Sequence, residues 1–364
     1  MFLNKLVNKL SPYKTVSHRA WELISDDTVL KLDWNESTIA PSPLVIERIR
    51  EFLDMNKLNW YPNVDNVKLR EKLASYSKVD VGNIEYFSSS DALHEYILRA
   101  FLGEEDVVTM ISPTYDNFRA VAESVGAKID YYWLEKSKNY HFSIDDFTSH
   151  LDSVMPKAVY LCNPNNPTGN VYSTEQISYL LKRFNDVLFI IDEAYFEFNK
   201  QTGAHLVSNF ENILICRTFS KAFGLASIRF GYAIASSKNI EGLKRVRNSK
   251  SVSSFAQVAA EAALDDIDYM EKYVESVLAA KKKLISHFQD LDINVYESSG
   301  GNFVFIDLKS LANDYVTLLS DRNVFIRSFS HMNNCDGLIR ITVGNSEQVS
   351  RFMTHSSEVI HLIR

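Results

Sequence analysis

The chain has 364 residues, 46% hydrophobic, 12% aromatic and 23% charged, which is typical of a globular protein with a sizeable core and excludes a disordered chain. With 39 Lys and Arg against 46 Asp and Glu, its net charge is −7, so nucleic acid and anionic membrane surfaces are poor partners. Three scattered cysteines exclude a disulfide framework and predict a reduced, cytoplasmic compartment.

The first thirteen residues contain apolar side chains interrupted by lysines, and no cleavage site made of small residues follows them. This pattern is not that of a secretory signal. The longest apolar runs, such as residues 187–191, are far shorter than the roughly 20 residues that span a bilayer. We therefore predict neither a signal peptide nor a membrane span.

Short apolar runs alternate with amphipathic stretches through the middle of the chain. We predict buried strands at residues 107–111, 158–162, 187–191 and 213–217, and helices at 93–102, 115–125, 174–184 and just before residue 210. This alternation is typical of an α/β fold in which a mostly parallel sheet is covered by helices on both faces.

The character of the sequence changes near residue 251. Residues 255–290 have few helix breakers and predict one or two long helices, and strands are expected at 293–296, 302–308, 324–327 and 338–343. We expect three parts: an N-terminal arm of residues 1–45 that joins the small domain, a large domain of residues 46–250, and a small α+β domain of residues 251–364 that begins with the long helix.

Several common site motifs are missing from the sequence. It contains no phosphate-binding loop of the GxxxxGK type, no GxGxxG and no GxSxG. His94 and Glu95 begin an HExxH pattern, but position 98, where its second histidine would stand, is Leu. The nine histidines do not follow metal-ligand spacing, so they are predicted to be core or surface residues and no metal site is expected.

Three polar motifs follow predicted strands directly. NPNNPTG occupies positions 163–169, DEAY occupies 192–195, and RTFSK occupies 217–221. In open α/β sheets, ligands bind at the carboxyl ends of the strands. These three motifs therefore predict one shared site.

With these motifs the chain resembles the fold-type I pyridoxal-phosphate enzymes, specifically the class I and II aminotransferases of the histidinol-phosphate aminotransferase branch. The matching segments run in the family's order along nearly the whole chain: KLDWNE at 31–36, YP at 61–62, SD at 90–91, SPTY at 112–115, PNNPTG at 164–169, DEAY at 192–195, SKAFGL at 220–225, Arg229, and RITVG at 340–344. The resemblance implies a mostly parallel seven-stranded sheet, a smaller α+β domain and pyridoxal 5'-phosphate as cofactor.

The resemblance assigns the two central catalytic roles. Lys221 matches the lysine that forms the Schiff base with the coenzyme and, once free, moves the proton at the substrate's α-carbon. Asp192 matches the carboxylate that keeps the ring nitrogen of the coenzyme protonated.

Further cofactor-binding residues follow from the same resemblance. Asn166 and Tyr195 match the residues that bond the 3'-oxygen, and Tyr115 matches the aromatic side chain that stacks on the ring. The phosphate is expected at a helix start, with Ser90, Asp91, Ser220 and Arg229 around it.

Tyr61 matches a residue that reaches the coenzyme phosphate of the neighbouring subunit, which implies a homodimer with shared active sites. For the substrate, Arg340 matches an arginine that binds its carboxylate or phosphate, and Arg327 and Tyr13 match phosphate-side residues of the branch.

The chain departs from the family pattern at Ser89, Ala92 and Ser227, where Gly, Glu and Gly are usual. These departures leave the substrate and the pathway open.

The leading function is an aminotransferase that moves an amino group between a donor such as glutamate and a small phosphorylated carbonyl substrate. A decarboxylase of a phosphorylated amino acid, similar to threonine-phosphate decarboxylase, is the alternative. A catalytically inactive binding protein is disfavoured because Lys221 and Asp192 are both present.

Overall fold

The computed structural model describes Phe2 and residues 4–11, 19–296 and 300–364. Within these ranges the strands are β1 (Leu30–Lys31), β2 (Ile84–Phe87), β3 (Val107–Ser112), β4 (Lys128–Trp133), β5 (Ala158–Cys162), β6 (Leu188–Asp192), β7 (Ile213–Thr218), β8 (Gly231–Ala235), β9 (Asn294–Tyr296), β10 (Phe303–Asp307), β11 (Val324–Phe325), β12 (Arg327–Ser328) and β13 (Leu338–Thr342).

Helices connect and cover these strands. The α-helices are α1 (Arg19–Glu22), α2 (Pro43–Asp54), α3 (Val67–Ser77), α4 (Ser90–Phe101), α5 (Asn117–Ser124), α6 (Ile144–Val154), α7 (Thr174–Arg183), α8 (Ser237–Val246), α9 (Ser254–Asp265), α10 (Ile267–Asp290), α11 (Ala312–Ser320) and α12 (Ser346–Ile363). In the described ranges no helix combines the length and the apolar character needed to cross a membrane.

The largest sheet has seven strands in the order β2-β8-β7-β6-β5-β3-β4. Strand β8 runs antiparallel to both neighbours, and the other neighbouring pairs are parallel. Every residue of β5, β7 and β8 is buried, as expected for strands covered on both faces. The predicted α/β fold with a mostly parallel sheet is therefore confirmed.

Strands β5 and β6 end in register with each other, and β7 continues two residues further, to Thr218. Asp192 at the end of β6 pairs with Cys162 of β5 on one side and with Cys216 of β7 on the other. The loops that follow the three strands consequently leave the sheet at the same edge. This register is what gathers the three polar motifs predicted from the sequence.

A second, antiparallel sheet has the order β12-β13-β10-β9, and the long helix α10 packs against β9 and β10. The predicted strand at 324–327 is wrong in one respect. Val324 and Phe325 pair with β1 in a separate two-stranded sheet, whereas Arg327 and Ser328 pair with β13. The chain passes from one sheet to the other at residue 326, because β1 and β13 offer partners in different sheets.

The prediction of one or two long helices at 255–290 is confirmed, whereas two other predicted helices differ in detail. The stretch 255–290 forms two helices, α9 and α10, that are separated at Asp266, whose φ of −132° and ψ of 55° interrupt the helix. Helix α5 begins at Asn117, so Tyr115 lies in the preceding turn. The segment before residue 210 is a short 3-10 helix, Ala204–Ser208.

Candidate active site

The polar motifs at the ends of β5, β6 and β7 meet the segment of residues 33–36 and one residue of β13. The cluster contains Asn166, Asp192, Lys221 and Arg340, and the polypeptide at 33–36 lies across it. Asp192 and Arg340 are 2% and 6% exposed, so the charges of the cluster are largely removed from water. Charged groups in such an environment interact strongly with one another and with a bound ligand.

Asp192 is held at the end of β6 by groups on both sides. Its Oδ2 accepts a hydrogen bond of 2.8 Å from the Tyr160 hydroxyl, and its Oδ1 accepts one of 3.1 Å from the backbone N–H of Ala194. Burial and the neighbouring Asp192 carboxylate raise the pKa of Tyr160 well above its usual value, so the hydroxyl remains a donor. The carboxylate is therefore fixed in orientation.

Lys221 follows β7, and its Nζ donates a hydrogen bond of 2.9 Å to the carbonyl oxygen of Trp34. Removal from water and, second, the charge of Arg340 lower the pKa of this amine from 10.5 to about 8. An amine with that pKa is available in its neutral, nucleophilic form close to physiological pH.

Tyr195 lies beside the lysine, with Lys221 Nζ 5.7 Å from the centre of its ring. Its hydroxyl accepts a hydrogen bond of 3.0 Å from Asn35 Nδ2, and its ring makes an edge contact with Phe303 at 5.3 Å. Burial raises the pKa of Tyr195, so the phenol stays protonated and can donate a hydrogen bond to a ligand.

Arg340 connects the small sheet to the cluster. Its Nη1 donates a hydrogen bond of 2.6 Å to Asn166 Oδ1, and its Nη2 donates to the carbonyl oxygen of Asp33. Arg327 lies directly opposite Arg340 in the β12–β13 pair, and both arginines are buried. Two buried arginines thus occupy opposite positions of one strand pair, and Arg340 extends into the cluster.

The start of α4 approaches the large sheet very closely. A Cβ atom at Gly231 would lie 2.6 Å from the backbone nitrogen of Ser90, so only glycine at that position in β8 permits the contact. Ser89 caps the helix by accepting from the Ala92 N–H at 3.2 Å, and it does so with φ of 97° and ψ of 163°. That region of backbone space is nearly restricted to glycine, which explains why glycine is usual at this position.

Four side chains meet in front of this helix start. Asp91 accepts hydrogen bonds from the Tyr115 hydroxyl at 2.8 Å and from Arg229 Nη2 at 3.0 Å. Arg229 Nη1 also lies 3.4 Å from the Ser220 hydroxyl, and Ser90 is the first residue of the helix. A helix N-terminus with an arginine and a hydroxyl beside it has the components of an anion site.

One predicted site residue, Tyr61, lies on the surface and outside this cluster. Tyr61 is 76% exposed, and the Lys250 ammonium lies 4.4 Å from the centre of its ring. Tyr13 lies outside the described residues. Across residues 19–296 and 300–364, together with the described N-terminal positions, no group of three or more His, Cys, Asp or Glu side chains is arranged to hold a metal ion.

The structure adds residues that the sequence motifs did not single out. Asn35 bonds Tyr195, Thr342 donates to Asn35 Oδ1 at 3.0 Å, and Asn302 donates to the Asn35 carbonyl at 3.1 Å. Tyr160 supports Asp192 from within β5. The KLDWNE motif was a signal for the first group, whereas Tyr160 lies in a uniformly buried strand that gives no such signal.

Known proteins of similar sequence share one family. A family model described as aminotransferase class I and II matches residues 27–355. A dihydroxyacetone phosphate transaminase of Campylobacter jejuni is 42% identical over 356 residues, which cover 96% of this chain and 95% of that protein. A histidinol-phosphate aminotransferase of Ruminiclostridium cellulolyticum is 34% identical over 323 residues, covering 88% and 90%.

Among solved structures, the histidinol-phosphate aminotransferase of Sinorhizobium meliloti in complex with pyridoxal-5'-phosphate superposes with a TM-score of 0.89. The superposition covers 100% of this chain and 98% of that one at 23% sequence identity. At that identity the likeness establishes the fold.

Proposed function

The chain belongs to the class I and II aminotransferases, and from this premise we propose that it moves an amino group between a donor such as glutamate and a small phosphorylated carbonyl compound of the dihydroxyacetone phosphate class. As a member of that family it is a pyridoxal 5'-phosphate enzyme. The observation that carries the proposal is the Lys221 amine, which has a lowered pKa and lies in a buried cluster with Asp192 and Arg340.

The cluster fits the coenzyme by the chemistry of its groups. The coenzyme has an aldehyde, a basic ring nitrogen and a phosphate, which require an amine, a carboxylate and an anion site respectively. Lys221 supplies the amine and Asp192 the carboxylate. The start of α4 supplies backbone N–H groups, with Ser90, Ser220 and Arg229 around it. We therefore assign the holding of the coenzyme to these residues, with Asp91 orienting Arg229 and Tyr115.

When bound, the coenzyme supplies an electron sink that makes the α-proton of an amino substrate acidic. Lys221 Nζ, with its pKa near 8, is suited to accept that proton and return it, because the neutral and charged forms of the amine are both accessible near neutral pH. Asp192, held by Tyr160 and Ala194, presents its carboxyl group at the end of β6.

Asn166 and Tyr195 complete the set as hydrogen-bonding groups beside Lys221. Asn166 is oriented by Arg340, and Tyr195 by Asn35, so neither side chain depends on the ligand for its position. Such preorganisation reduces the reorganisation that a reaction requires. We propose that both residues bind the oxygen substituent of the coenzyme ring.

The proposed phosphorylated substrate is supported by the paired arginines. Like charges at neighbouring positions of one buried strand pair repel each other, and an anion between them relieves that repulsion. The relative at 42% identity is named for a three-carbon phosphate, which is consistent with this charge. We assign Arg327 and Arg340 to substrate binding, and Tyr13 stays a prediction.

The decarboxylase alternative has weaker support. The two sequence relatives described above are both named for amino transfer, and the family model is that of aminotransferases. Transamination and decarboxylation differ in which bond at the α-carbon is broken, and the fate of the substrate carboxylate distinguishes them.

We further propose that the enzyme is a homodimer in which Tyr61 reaches the partner's site. Residues 53–61 expose a run of large apolar side chains, and the proposed occupant of that surface is a second copy of the chain. Its exposed members are Leu53, Met55, Leu58, Trp60 and Tyr61, at 41%, 61%, 61%, 65% and 76%.

The division into residues 1–45, 46–250 and 251–364 stays a prediction. A cytoplasmic location also stays a prediction, and it rests on three free, buried cysteines.

Covalent trapping tests the site. The protein is loaded with pyridoxal 5'-phosphate, treated with borohydride and digested, and the modified peptide is identified by mass spectrometry. We expect the label on Lys221, its loss in Lys221→Ala, and no change in Lys238→Ala, which removes an exposed lysine. A label on another lysine, or unimpaired turnover by Lys221→Ala, would refute the assignment.

Substrate comparison tests the arginine pair. We expect kcat/KM for dihydroxyacetone phosphate to exceed that for dihydroxyacetone, and Arg327→Ala to remove most of the difference. Loss of one charge-assisted contact corresponds to about 1.5–3 kcal/mol. If the wild type preferred the uncharged compound, the anionic-substrate proposal would be wrong.

A further inference from the structure

One buried histidine has no part in the function described so far. His94 lies on α4, four positions after the Ser90 that begins the helix, and it is fully buried. Neither of its ring nitrogens makes a hydrogen bond to any described residue. A buried polar side chain without a partner is costly, so this arrangement requires an explanation.

The neighbour of His94 that can accept a hydrogen bond is Asp192. Nε2 of His94 lies 3.4 Å from Asp192 Oδ2, which is within reach of a hydrogen bond after a small rotation of the ring. The other contacts of the imidazole are edge contacts with Phe118 at 5.3 Å and Tyr160 at 5.6 Å. Phe118 stacks on Tyr160 at 4.0 Å. The imidazole therefore packs against a pair of stacked rings, which restrict its orientation.

The acceptor capacity of Asp192 accounts for the position of this ring. A carboxylate has four lone-pair positions, two on each oxygen. Oδ2 receives the Tyr160 hydroxyl, and Oδ1 receives the Ala194 N–H. A donor from His94 would complete Oδ2 and leave one position on Oδ1 for a single further donor.

We propose that His94 is a positioning residue for Asp192, donating its Nε2–H to Oδ2 so that this carboxylate stays charged and presents one remaining acceptor position to the ring nitrogen of the coenzyme. The inference rests on the proposed role of Asp192 and extends it to a residue on the helix that begins at the phosphate end of the site. One helix therefore contacts both ends of the coenzyme site, through its first turn and through His94.

The reason for a second donor is electrostatic. Each hydrogen bond accepted by a carboxylate favours its charged form over its protonated form. With both donors on Oδ2, a proton shared between Asp192 and the ring nitrogen stays on the nitrogen. Without the His94 donor, that proton shifts toward the carboxylate.

The first test uses the protein without coenzyme and leaves His94 itself unchanged. Nitrogen-15 NMR of histidine-labelled protein determines which ring nitrogen of His94 carries the proton, with Asp192→Asn identifying the resonance that responds to the carboxylate. We expect Nε2 to be protonated in the wild type and its proton to exchange slowly with solvent. A His94 protonated only at Nδ1 would overturn the proposal, whether or not the proposed function is correct.

The second test reads the coenzyme itself. Wild type, His94→Phe and His94→Gln are loaded with pyridoxal phosphate labelled with nitrogen-15 in the ring. Phenylalanine keeps the aromatic packing without a donor, whereas the glutamine amide restores one. We expect the ring-nitrogen resonance to move toward its unprotonated position in His94→Phe and to return in His94→Gln.

Kinetics on the same variants give a separate readout. We expect kcat of His94→Phe to fall on the order of tenfold with KM unchanged, the effect of losing one hydrogen bond to a charged group. A wild-type nitrogen resonance in His94→Phe, while Asp192→Asn shifts it, would show that His94 only fills space. Failure of all the proteins to bind the coenzyme would refute the proposed function and leave the tautomer result standing.

Discussion

Two cationic side chains, Lys221 and Arg340, share one buried cluster, and their proximity determines how reactive the lysine is. Burial disfavours the charged form of the Lys221 amine, and the positive charge of Arg340 disfavours it further. Together they lower the pKa of Lys221 to about 8. Below pH 8 the amine is mainly charged, and above pH 8 it is mainly neutral.

The reactivity of Lys221 in the coenzyme-free protein should therefore titrate near pH 8. Competitive labelling with an acylating reagent, quantified by peptide mass spectrometry, measures this, with Lys238 as the exposed control because hydrogen bonding to Glu211 raises its pKa. Arg340→Gln should move the Lys221 midpoint upward. Equal midpoints for the two lysines in the wild type would contradict the account.

The same shift has a consequence for stability. The unfolded lysine holds its proton up to about pH 10.5, whereas the folded one releases it near pH 8, so the unfolded state binds more protons between those values. The free energy of unfolding of the coenzyme-free protein should rise with pH across that window relative to Lys221→Met. Denaturant titrations at pH 7.5 and 9.5 would detect it, and an equal change in both proteins would argue against it.

Asp192→Asn should keep the fold and lower kcat by a factor corresponding to about 3 kcal/mol, since one preorganised charge is removed from the site. The amide retains the shape of the side chain; its oxygen can still accept from the Ala194 N–H, and its NH2 group can donate to the Tyr160 hydroxyl. Steady-state kinetics with circular dichroism as the folding control is the measurement. Unchanged kinetics would reduce Asp192 to a residue that terminates β6.

At the scale of elements, the junction between α4 and β8 is the most constrained part of the site. Ser89 caps α4 but adopts a glycine-like backbone conformation, and Gly231 permits the helix start to touch the strand. The helix start is consequently held in place by the sheet rather than by the ligand.

Opposite effects are expected from two changes at Ser89. Ser89→Gly relieves backbone strain of about 1–3 kcal/mol and loses only a few tenths from the cap, so it should stabilise the protein. Ser89→Ala keeps the strain and loses the cap, which should destabilise it by about 1 kcal/mol. Thermal denaturation measures both, and destabilisation by Ser89→Gly would contradict this interpretation of the turn.

Gly231→Ala should weaken coenzyme binding, because its methyl group would displace the first turn of α4 by contact with Ser90. Gly82→Ala is the matched control, since the nearest atom to an added Cβ there is 4.0 Å away. Coenzyme titration followed by absorbance gives the dissociation constants. Equal affinities for the two variants would show that the close contact is not needed for the anion site.

Four strands of the large sheet, β3, β5, β6 and β7, could be predicted from the sequence because their signals are local, whereas β2, β4 and β8 were not predicted. Residues 158–162 form an uninterrupted apolar run followed by NPNNPTG, and the observed strand has these same limits. The split of residues 324–327 between two sheets could not be predicted. Val324 and Arg327 are both buried, and what separates them is the strand that each pairs with, β1 for Val324 and β13 for Arg327. His94 and Tyr160 were equally hidden, because their roles arise from distance to Asp192 rather than from spacing in sequence.

At the scale of the whole molecule, the site draws on segments that are remote in sequence. The backbone at Asp33 and Trp34 contacts Arg340 and Lys221, which are separated from it by 307 and 187 positions. The cluster can therefore form only when the N-terminal segment, the large sheet and the small sheet are assembled together.

The proposed dimer interface is testable through its exposed apolar side chains. Leu58→Glu combined with Trp60→Glu should produce a monomer with weakened coenzyme affinity, because Tyr61 could no longer reach the partner's site. Met155→Glu is the control, as Met155 is 80% exposed elsewhere on the molecule. Light scattering and coenzyme titration are the measurements, and a fully active monomer would refute shared sites.

Transfer of labelled nitrogen tests the central claim most directly. The coenzyme-loaded enzyme is incubated with nitrogen-15 glutamate and dihydroxyacetone phosphate, and the products are analysed by mass spectrometry. The account predicts that 2-oxoglutarate and a nitrogen-15-labelled amino phosphate form in equal amounts, and that Lys221→Ala forms neither. The account would be contradicted if no label reached the carbonyl compound and the enzyme instead released carbon dioxide when supplied with a phosphorylated amino acid.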